Sequence, residues 1–315
     1  MNIVDKKFYD LMKCLEVLDI NEILDNIKAK FYRVPEETRI STENFLNQFG
    51  YWGTLDTNNQ DYTVIELKAK CLKEHRNDFI ELYQSLKDYK SKKILYGILN
   101  NWYQYDFVTL SEVAARNYKH YFDLDLIPHC HNEVLVDLGA YTGDTILDFF
   151  DTYGIHSYNK IYCYEMTPTT FSTLKNNLYQ YDNIIFNKKA CSNFSGNSYI
   201  IENNESASAN QITNHDNGNI LVPVTTIDND IEEKITMIKM DIEGDEQKAL
   251  DGCRNHIIAD HPILLISVYH HNNDLFEIPK KIKEMNPNYD FYLRYYGGCI
   301  YPTEIVLIAI PTVHS

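Results

Sequence analysis

No run in this sequence approaches the roughly 18 to 20 consecutive apolar residues that a membrane-spanning helix requires, so no span is expected. The opening MNIVDKKFYDLMKCLEVLDI has no apolar core followed by a small-residue cleavage site, which argues against export. Cysteine pairs are missing as well. Cys14, Cys71, Cys130, Cys163, Cys191, Cys253 and Cys299 are scattered with no Cys-x-x-Cys among them, the pattern of free thiols in a reducing compartment. A cytoplasmic location is the expectation. Positive charge is scarce: the formal net charge is −16, which speaks against a nucleic-acid partner, because phosphate binding relies on clustered Lys and Arg. The G-x-G-x-x-G of a dinucleotide site is absent too.

What the chain does have is an ordinary soluble composition, with 44% hydrophobic and 23% charged residues, in two parts of different character. Residues 1–122 carry helical periodicity. DKKFYDLMKCLEVLDINEILDNIKAKFY, YTVIELKAKCLKEHRNDFIELYQSLKDY and KKILYGILNNWYQY repeat apolar residues at three- and four-residue spacing. FGYWGTLDTNNQDY, Phe49 to Tyr62, carries the Gly, Asn and Asp of a loop. Ser111, Glu112 and the following AARNYKHYF suggest a short helix leading into the second part.

Residues 123–315 alternate short apolar runs with amphipathic stretches. VLVDLG, KIYCYE, NIIFNKKA, ITMIKMDI, ILLISVYH, FYLRYY and EIVLIAI are the strand candidates; TTFSTLKNNLYQY and DEQKALDGCRNHII are helical. Strands alternating with helices imply βαβ units and a mainly parallel sheet covered on both faces. GGCIYPT leaves no room for a helix between the last two strands, so they are expected to pair as an antiparallel hairpin. The polar, Asn-rich Ser192 to Ile220 is too long for an ordinary connection and reads as a lid or a disordered segment.

The first strand ends in Gly139-Ala140-Tyr141-Thr142-Gly143-Asp144. A glycine there permits a positive-φ turn and close approach of backbone to a ligand. The helix that follows aims its N-terminal N–H groups at the same place. Asp137 would anchor the turn or meet a cationic group. A G-x-x-x-G turn alone also fits a plain strand-to-helix connection. The second strand ends in Glu165, where a carboxylate can accept both ribose hydroxyls of a nucleoside, or sit as a surface charge.

DLGAYTGDT, YEMTPTTFSTLKNNL, KKACSNFSGN, VPVTTIDND and IKMDIEGDEQKALDGC, in this order and spacing, resemble the FkbM-family methyltransferases over about Glu133 to Ile310. The resemblance implies the Rossmann-like class I methyltransferase sheet, parallel strands plus a C-terminal antiparallel hairpin, behind a helical N-terminal domain. It also implies S-adenosyl-L-methionine as cofactor. By position, Asp137, Gly139, Ala140, Tyr141, Thr142, Gly143 and Asp144 would line the methionine part. Glu165 would hold the ribose with Met166 beside the adenine, and Ala190, Cys191 and Ser192 would close over the base. Tyr141 stands where many relatives carry Asn.

Methyl transfer is an in-line displacement on a sulfonium carbon, so the protein must position an acceptor and remove its proton. Asp241 and Glu243 end the fourth of the seven candidate strands and would point the same way if the strand persists. They would act as base, orienting group or metal ligands, while Asp245 is a candidate helix cap. His270 and His271, at the end of the fifth, are rival bases near neutrality. His129, Cys130 and His131, with His120 nearby, lack the paired spacing of a zinc site, and no metal is expected. The resemblance suggests O-methylation of a hydroxyl on a saccharide or other small polar acceptor. Nothing in the sequence separates a hydroxyl from an amine. A nicotinamide-dependent oxidoreductase and a non-catalytic binding protein are the readings from other classes. The N-terminal helices are expected to shape the acceptor site or to make a homo-oligomer contact.

Overall fold

The computed structural model describes residues 1–49, 51–201, 210–213, 220–298 and 302–312. The chain divides into two compact units. The first comprises Met1–Ala115, Val268–Pro279 and Asp290–Leu307; the second comprises Arg116–Ser267, Lys280–Tyr289 and Ile308–Ser315.

The first unit is largely helical: α1 (Ile3–Val17), α2 (Ile20–Phe31), α3 (Glu36–Gln48), α4 (Thr63–Glu74), α5 (Arg76–Ser85), α6 (Tyr89–Gln104) and α7 (Phe107–Val113). The first periodic stretch is broken by a capping box. The Asp19 side chain accepts the Glu22 N–H, and Glu22 accepts the Asp19 N–H, both at 2.9 Å, so α1 ends and α2 starts there. Leu95, Ile98 and Leu99 of α6 are fully buried, as are Ile23 and Ile27 of α2 and Val64, Ala69 and Leu72 of α4. Tyr51 to Tyr62 forms the loop its composition implies, closed by an isolated bridge between Asp56 and Asp61; Gly50 lies outside the described residues. One tie reaches far along the chain. The buried Arg294 guanidinium meets Asp88 at 2.8 Å, and Ser91 Oγ accepts from the Leu293 N–H at 2.9 Å. Asp88 also caps α6 by accepting the Ser91 N–H at 2.7 Å. The segment Ala114 to Phe122, expected to continue as a helix, is irregular, and Tyr121 within it has φ +70°.

The second unit carries β1 (Glu133–Leu138), α8 (Asp144–Tyr153), β2 (Tyr158–Tyr164), α9 (Pro168–Leu178), β3 (Ile184–Asn187), β4 (Ala190–Cys191), β5 (Gly196–Ile201), β6 (Gln211–Thr213), β7 (Ile220–Thr225), α10 (Ile227–Asp230), β8 (Met237–Met240), α11 (Glu246–Asp251), α12 (Arg254–Ala259) and β9 (Ile263–Ser267). The chain continues through α13 (Asp274–Met285), β10 (Tyr289–Tyr295) and β11 (Ile305–Pro311). The seven-stranded sheet has the order β10-β11-β9-β8-β1-β2-β3. Its pairs from β9 to β3 are parallel, and all seven candidate strands are present. The connection from β10 to β11 is too short for the crossover a parallel pair needs; the Tyr296 N–H bonds the Glu304 carbonyl across it at 2.9 Å. Of the connecting GGCIYPT run, residues 299–301, Cys299 included, lie outside the described residues.

From β1 the chain adds β2 and β3 on one side and returns to add β8 and β9 on the other. The order therefore reverses between β1 and β8, where the carboxyl ends of an open α/β sheet leave a crevice. A second, four-stranded sheet, β4-β7-β5-β6, takes up part of the segment expected to be irregular. β5 pairs antiparallel with β7 and with β6, so Gly196–Ile201 and Gln211–Thr213 are strands and not a lid. Residues 202–209 and 214–219 of that segment lie outside the described residues.

Candidate active site

The ends of β1, β2 and β8 are joined into one hydrogen-bonded frame. The N–H groups of Gly139 and Ala140 both donate to the Tyr164 carbonyl, at 3.0 and 2.9 Å, so the turn after β1 crosses the end of β2. The Gly143 N–H closes the turn on the Ala140 carbonyl at 2.8 Å. Gly139 and Gly143 hold φ of +79° and +87°, and Tyr141, at φ +45°, is the one side chain there in the left-handed region. Asn177 of α9 donates to the Thr142 carbonyl at 2.8 Å. Gly143 opens α8, and Asp144, exposed in its first turn, lies at the positive end of the helix dipole.

Asp137 is fully buried and meets the buried Lys239 ammonium at 3.0 Å. The same ammonium donates to the Gly139 carbonyl at 2.8 Å. Lys239 thus ties β8 to the turn, and Asp137 acts on the turn through it. Burial pushes the Asp137 carboxyl up, against the opposing Lys239 charge. Burial alone would lower Lys239, but Asp137 and Asp241 outweigh it and hold the ammonium above its usual value. The lysine stays charged.

Glu165, nine-tenths buried, accepts the Thr167 N–H at 2.7 Å. Burial raises its carboxyl, opposed by hydrogen bonds from Thr167 and from the Tyr141 backbone. A carboxylate has about four acceptor sites, so these bonds leave it able to accept more. Next to it, Met166 packs on the small apolar cluster of Ala190, Ile200, Val222 and Val224. Asn210 donates from its buried amide to Thr167 Oγ1 at 3.0 Å. Cys191 and Ser192 are buried; burial lifts the Cys191 thiol well above its usual range, which keeps it inert. Ser192 Oγ donates to Asp245 at 2.9 Å.

At the end of β8 the structure corrects two expectations. The strand stops at Met240, and Glu243 and Gly244 have φ of +60° and +103°. Asp241 and Glu243 therefore do not alternate along a strand, although their carboxylates approach within 4.8 Å. Asp245 precedes α11 but makes no capping bond; it is taken by Ser192 and, at 2.6 Å, by Lys248. Glu246 meets the backbone instead, accepting the Ile242 N–H at 2.9 Å. One residue that no motif indicated belongs here: the buried Tyr121 hydroxyl donates to Asp241 Oδ2 at 2.7 Å.

His270 and His271 belong to the first unit. His270 is buried, with Tyr51 edge-on at 5.4 Å and Tyr269 tilted at 4.2 Å. His271 is exposed, and its N–H bonds Asp274 at 2.8 Å. His129 and His131 stack at 6.3 Å on either side of the buried Cys130. His120 is stacked on Tyr121 at 4.0 Å, and burial holds its imidazole down at about 4.

The family model described as the methyltransferase FkbM domain matches residues 137–297. The fold is similar to the crystal structure of a methyltransferase FkbM from Methylobacillus flagellatus KT, with TM-score 0.65 and 24% identity over 77% of this chain. The match spans 62% of the length of that protein. Weaker likenesses include a precorrin-6y C5,15-methyltransferase from Geobacter metallireducens GS-15, with TM-score 0.36, 10% identity, 59% of this chain and 83% of that one. Another is Aeropyrum pernix fibrillarin in complex with S-adenosyl-L-methionine, with TM-score 0.37, 10% identity, 58% of this chain and 69% of that one. No curated protein matches the chain.

Proposed function

The chain belongs to the FkbM methyltransferase family, and on that premise we propose that it transfers a methyl group from S-adenosyl-L-methionine to a hydroxyl of a saccharide or other small polar acceptor. The observation that carries this is the frame at the switch in strand order. There a glycine turn, a buried strand-end carboxylate and a half-buried Asp241 are fixed by one set of hydrogen bonds.

The residues present suit the cofactor. Glu165 has acceptor capacity for the ribose hydroxyls. Met166 and Ala190 belong to an apolar cluster suited to a purine face. The turn from Gly139 to Asp144 would take the methionine part, with Asp144 offering negative charge to a cation. When bound, the cofactor supplies a methyl group on a sulfonium, a good leaving group. The remaining work falls to the chain: hold the acceptor, take its proton at Asp241, and let Glu243 orient it. Asp241 is preferred over His270 because His270 is fully buried. His271 is retained as the rival base. The place of action we propose is the cytoplasm; among the described residues no helix is long and apolar enough to cross a membrane.

Calorimetry with S-adenosylmethionine, S-adenosylhomocysteine and NAD tests the cofactor, and binding of the first two without the third is expected. Transfer of a tritiated methyl group to a panel of saccharides and amines tests the acceptor. Binding of NAD alone would overturn the methyltransferase reading, and label found only on nitrogen would overturn the hydroxyl.

A further inference from the structure

We propose that Tyr121 is a positioning residue for this reaction: its phenol fixes the orientation and the negative charge of the Asp241 carboxylate. The proposal rests on the assignment of Asp241 as the proton acceptor. Tyr121 lies outside every motif that carries the family resemblance, in an irregular segment before β1. A bulky aromatic at φ +70° is a strained choice that its surroundings must enforce. They do so from several sides. The hydroxyl donates to Asp241 Oδ2 at 2.7 Å, beyond the end of β8, and lies 3.3 Å from Ser267 Oγ, at the end of β9. The ring stacks on His120 with an interplanar angle of 6°, and the Lys239 ammonium lies 5.4 Å from its centre.

A phenol has one proton to donate. With that proton on Asp241, the bond to Ser267 must run the other way, from the serine hydroxyl to the phenol oxygen. The result is a directed chain, Ser267 to Tyr121 to Asp241, ending on a carboxylate. Each bond in such a chain polarises the next, which favours the anion at its end. A tyrosine needing only a partner for its hydroxyl would be satisfied by the serine alone. Within the second unit, the charged or titratable groups around the carboxylate include Lys239, Asp137, His120 and Glu243.

In the reaction, the acceptor hydroxyl gives its proton to Asp241 while its oxygen forms the new bond to the methyl carbon. A bound S-adenosylmethionine would supply that methyl group, its sulfur keeping the electron pair of the broken carbon–sulfur bond as a neutral thioether. Asp241 leaves the step as a carboxylic acid and returns the proton to water. Tyr121 keeps its own proton throughout.

The titration that decides the proposal needs no acceptor. In the full chain with ¹³C-carboxyl aspartate, the Asp241 signal is assigned by its loss in Asp241→Asn and titrated in wild type and in Tyr121→Phe. Removing a hydrogen bond to a charged group should raise the Asp241 midpoint by about one to two pH units. S-adenosylmethionine affinity should stay close to wild type. Should Tyr121→Phe not fold, Ser267→Ala keeps the phenol and removes its donor, and a smaller rise in the same direction is expected. An unchanged midpoint in whichever folded variant is measured overturns the proposal. A raised midpoint together with wild-type turnover in Asp241→Asn overturns instead the assignment of Asp241 as base.

Discussion

The carbonyl oxygen of Asp241 lies 1.9 Å from where a Cβ on Gly139 would stand. The glycine turn after β1 and the end of β8 are thus packed backbone to backbone, at a residue whose φ of +79° already excludes most side chains. Gly139→Ala must push β8 away from β1 or unwind the turn. It should cost at least about 3 kcal/mol of stability, measured by urea unfolding, with S-adenosylmethionine binding lost in whatever folds. A variant of wild-type stability would show that the two chains are not held this closely.

Glu165→Gln keeps the shape and one acceptor oxygen but loses the charge. If the carboxylate holds the ribose, S-adenosylmethionine binding should weaken by about 1.5 to 3 kcal/mol. Calorimetry reads this directly. Glu165→Ala is the poorer test, because Glu165 also accepts the Thr167 N–H within the frame. Unchanged affinity in a folded Glu165→Gln protein would remove Glu165 from the cofactor site.

Asp241→Asn should leave cofactor affinity nearly unchanged and lower turnover about 100- to 10,000-fold, the range for a lost general base. His271→Ala should cost less. Retained turnover in the first with collapse in the second would move the base to the histidine. Wild-type turnover in EDTA should be unaffected; a loss there would make Asp241 a metal ligand instead.

His120 gives a pH dependence with a definite sign. Burial depresses its folded-state value to about 4, against an ordinary 6.5. Between these limits the unfolded chain binds a proton that the folded chain does not, so stability rises with pH across the window. The contribution is complete above pH 6.5 and lost as pH falls towards 4, worth about 3 kcal/mol. His120→Gln should flatten this part of the curve in urea unfolding at pH 4.5 and 7. Equal slopes in the two proteins would refute it.

Asp88 acts in the opposite sense to a buried acid left alone. Burial would raise its carboxyl, but Arg294 and Ser91 outweigh that and hold it below its usual value. Its stabilisation is present above about pH 3.9 and fades as pH falls through the lower folded value. Asp88→Asn retains a capping side chain and should cost about 1 to 2 kcal/mol at neutral pH, the pair being partly open to solvent. The cost should shrink in acid.

How much of this was legible in the sequence depends on the range of the contacts involved. The seven strands of the main sheet showed because strands buried on both faces become apolar runs: all four residues of β8 are buried, Lys239 among them with its partner Asp137. The turn after β1 showed because two glycines with positive φ punctuate it. The second sheet did not show. β7 alternates exposed and buried residues around Pro223, a residue that argues against a strand, and β5 lies in an Asn- and Ser-rich run. The end of β8 was misjudged because Glu243 adopts a left-handed φ that Gly244 beside it would have been expected to carry alone. Tyr121 was invisible for another reason. Its partner lies 120 residues along the chain, and no local pattern marks so distant a bond.

The tie between Asp88 and Arg294 has a consequence for how the protein is made. The helices of Met1–Ala115 and the strands of Asp290–Leu307 belong to one compact unit, yet the whole of β1 to β9 is synthesised between them. At about 5 to 20 residues per second, the helices wait on the order of ten seconds or more for the segment that completes their core. During that interval Arg116–Ser267, the larger part of the second unit, is made and can begin to close around its own strands. The helical unit, first to leave the ribosome, therefore cannot finish folding until nearly the whole chain has been made.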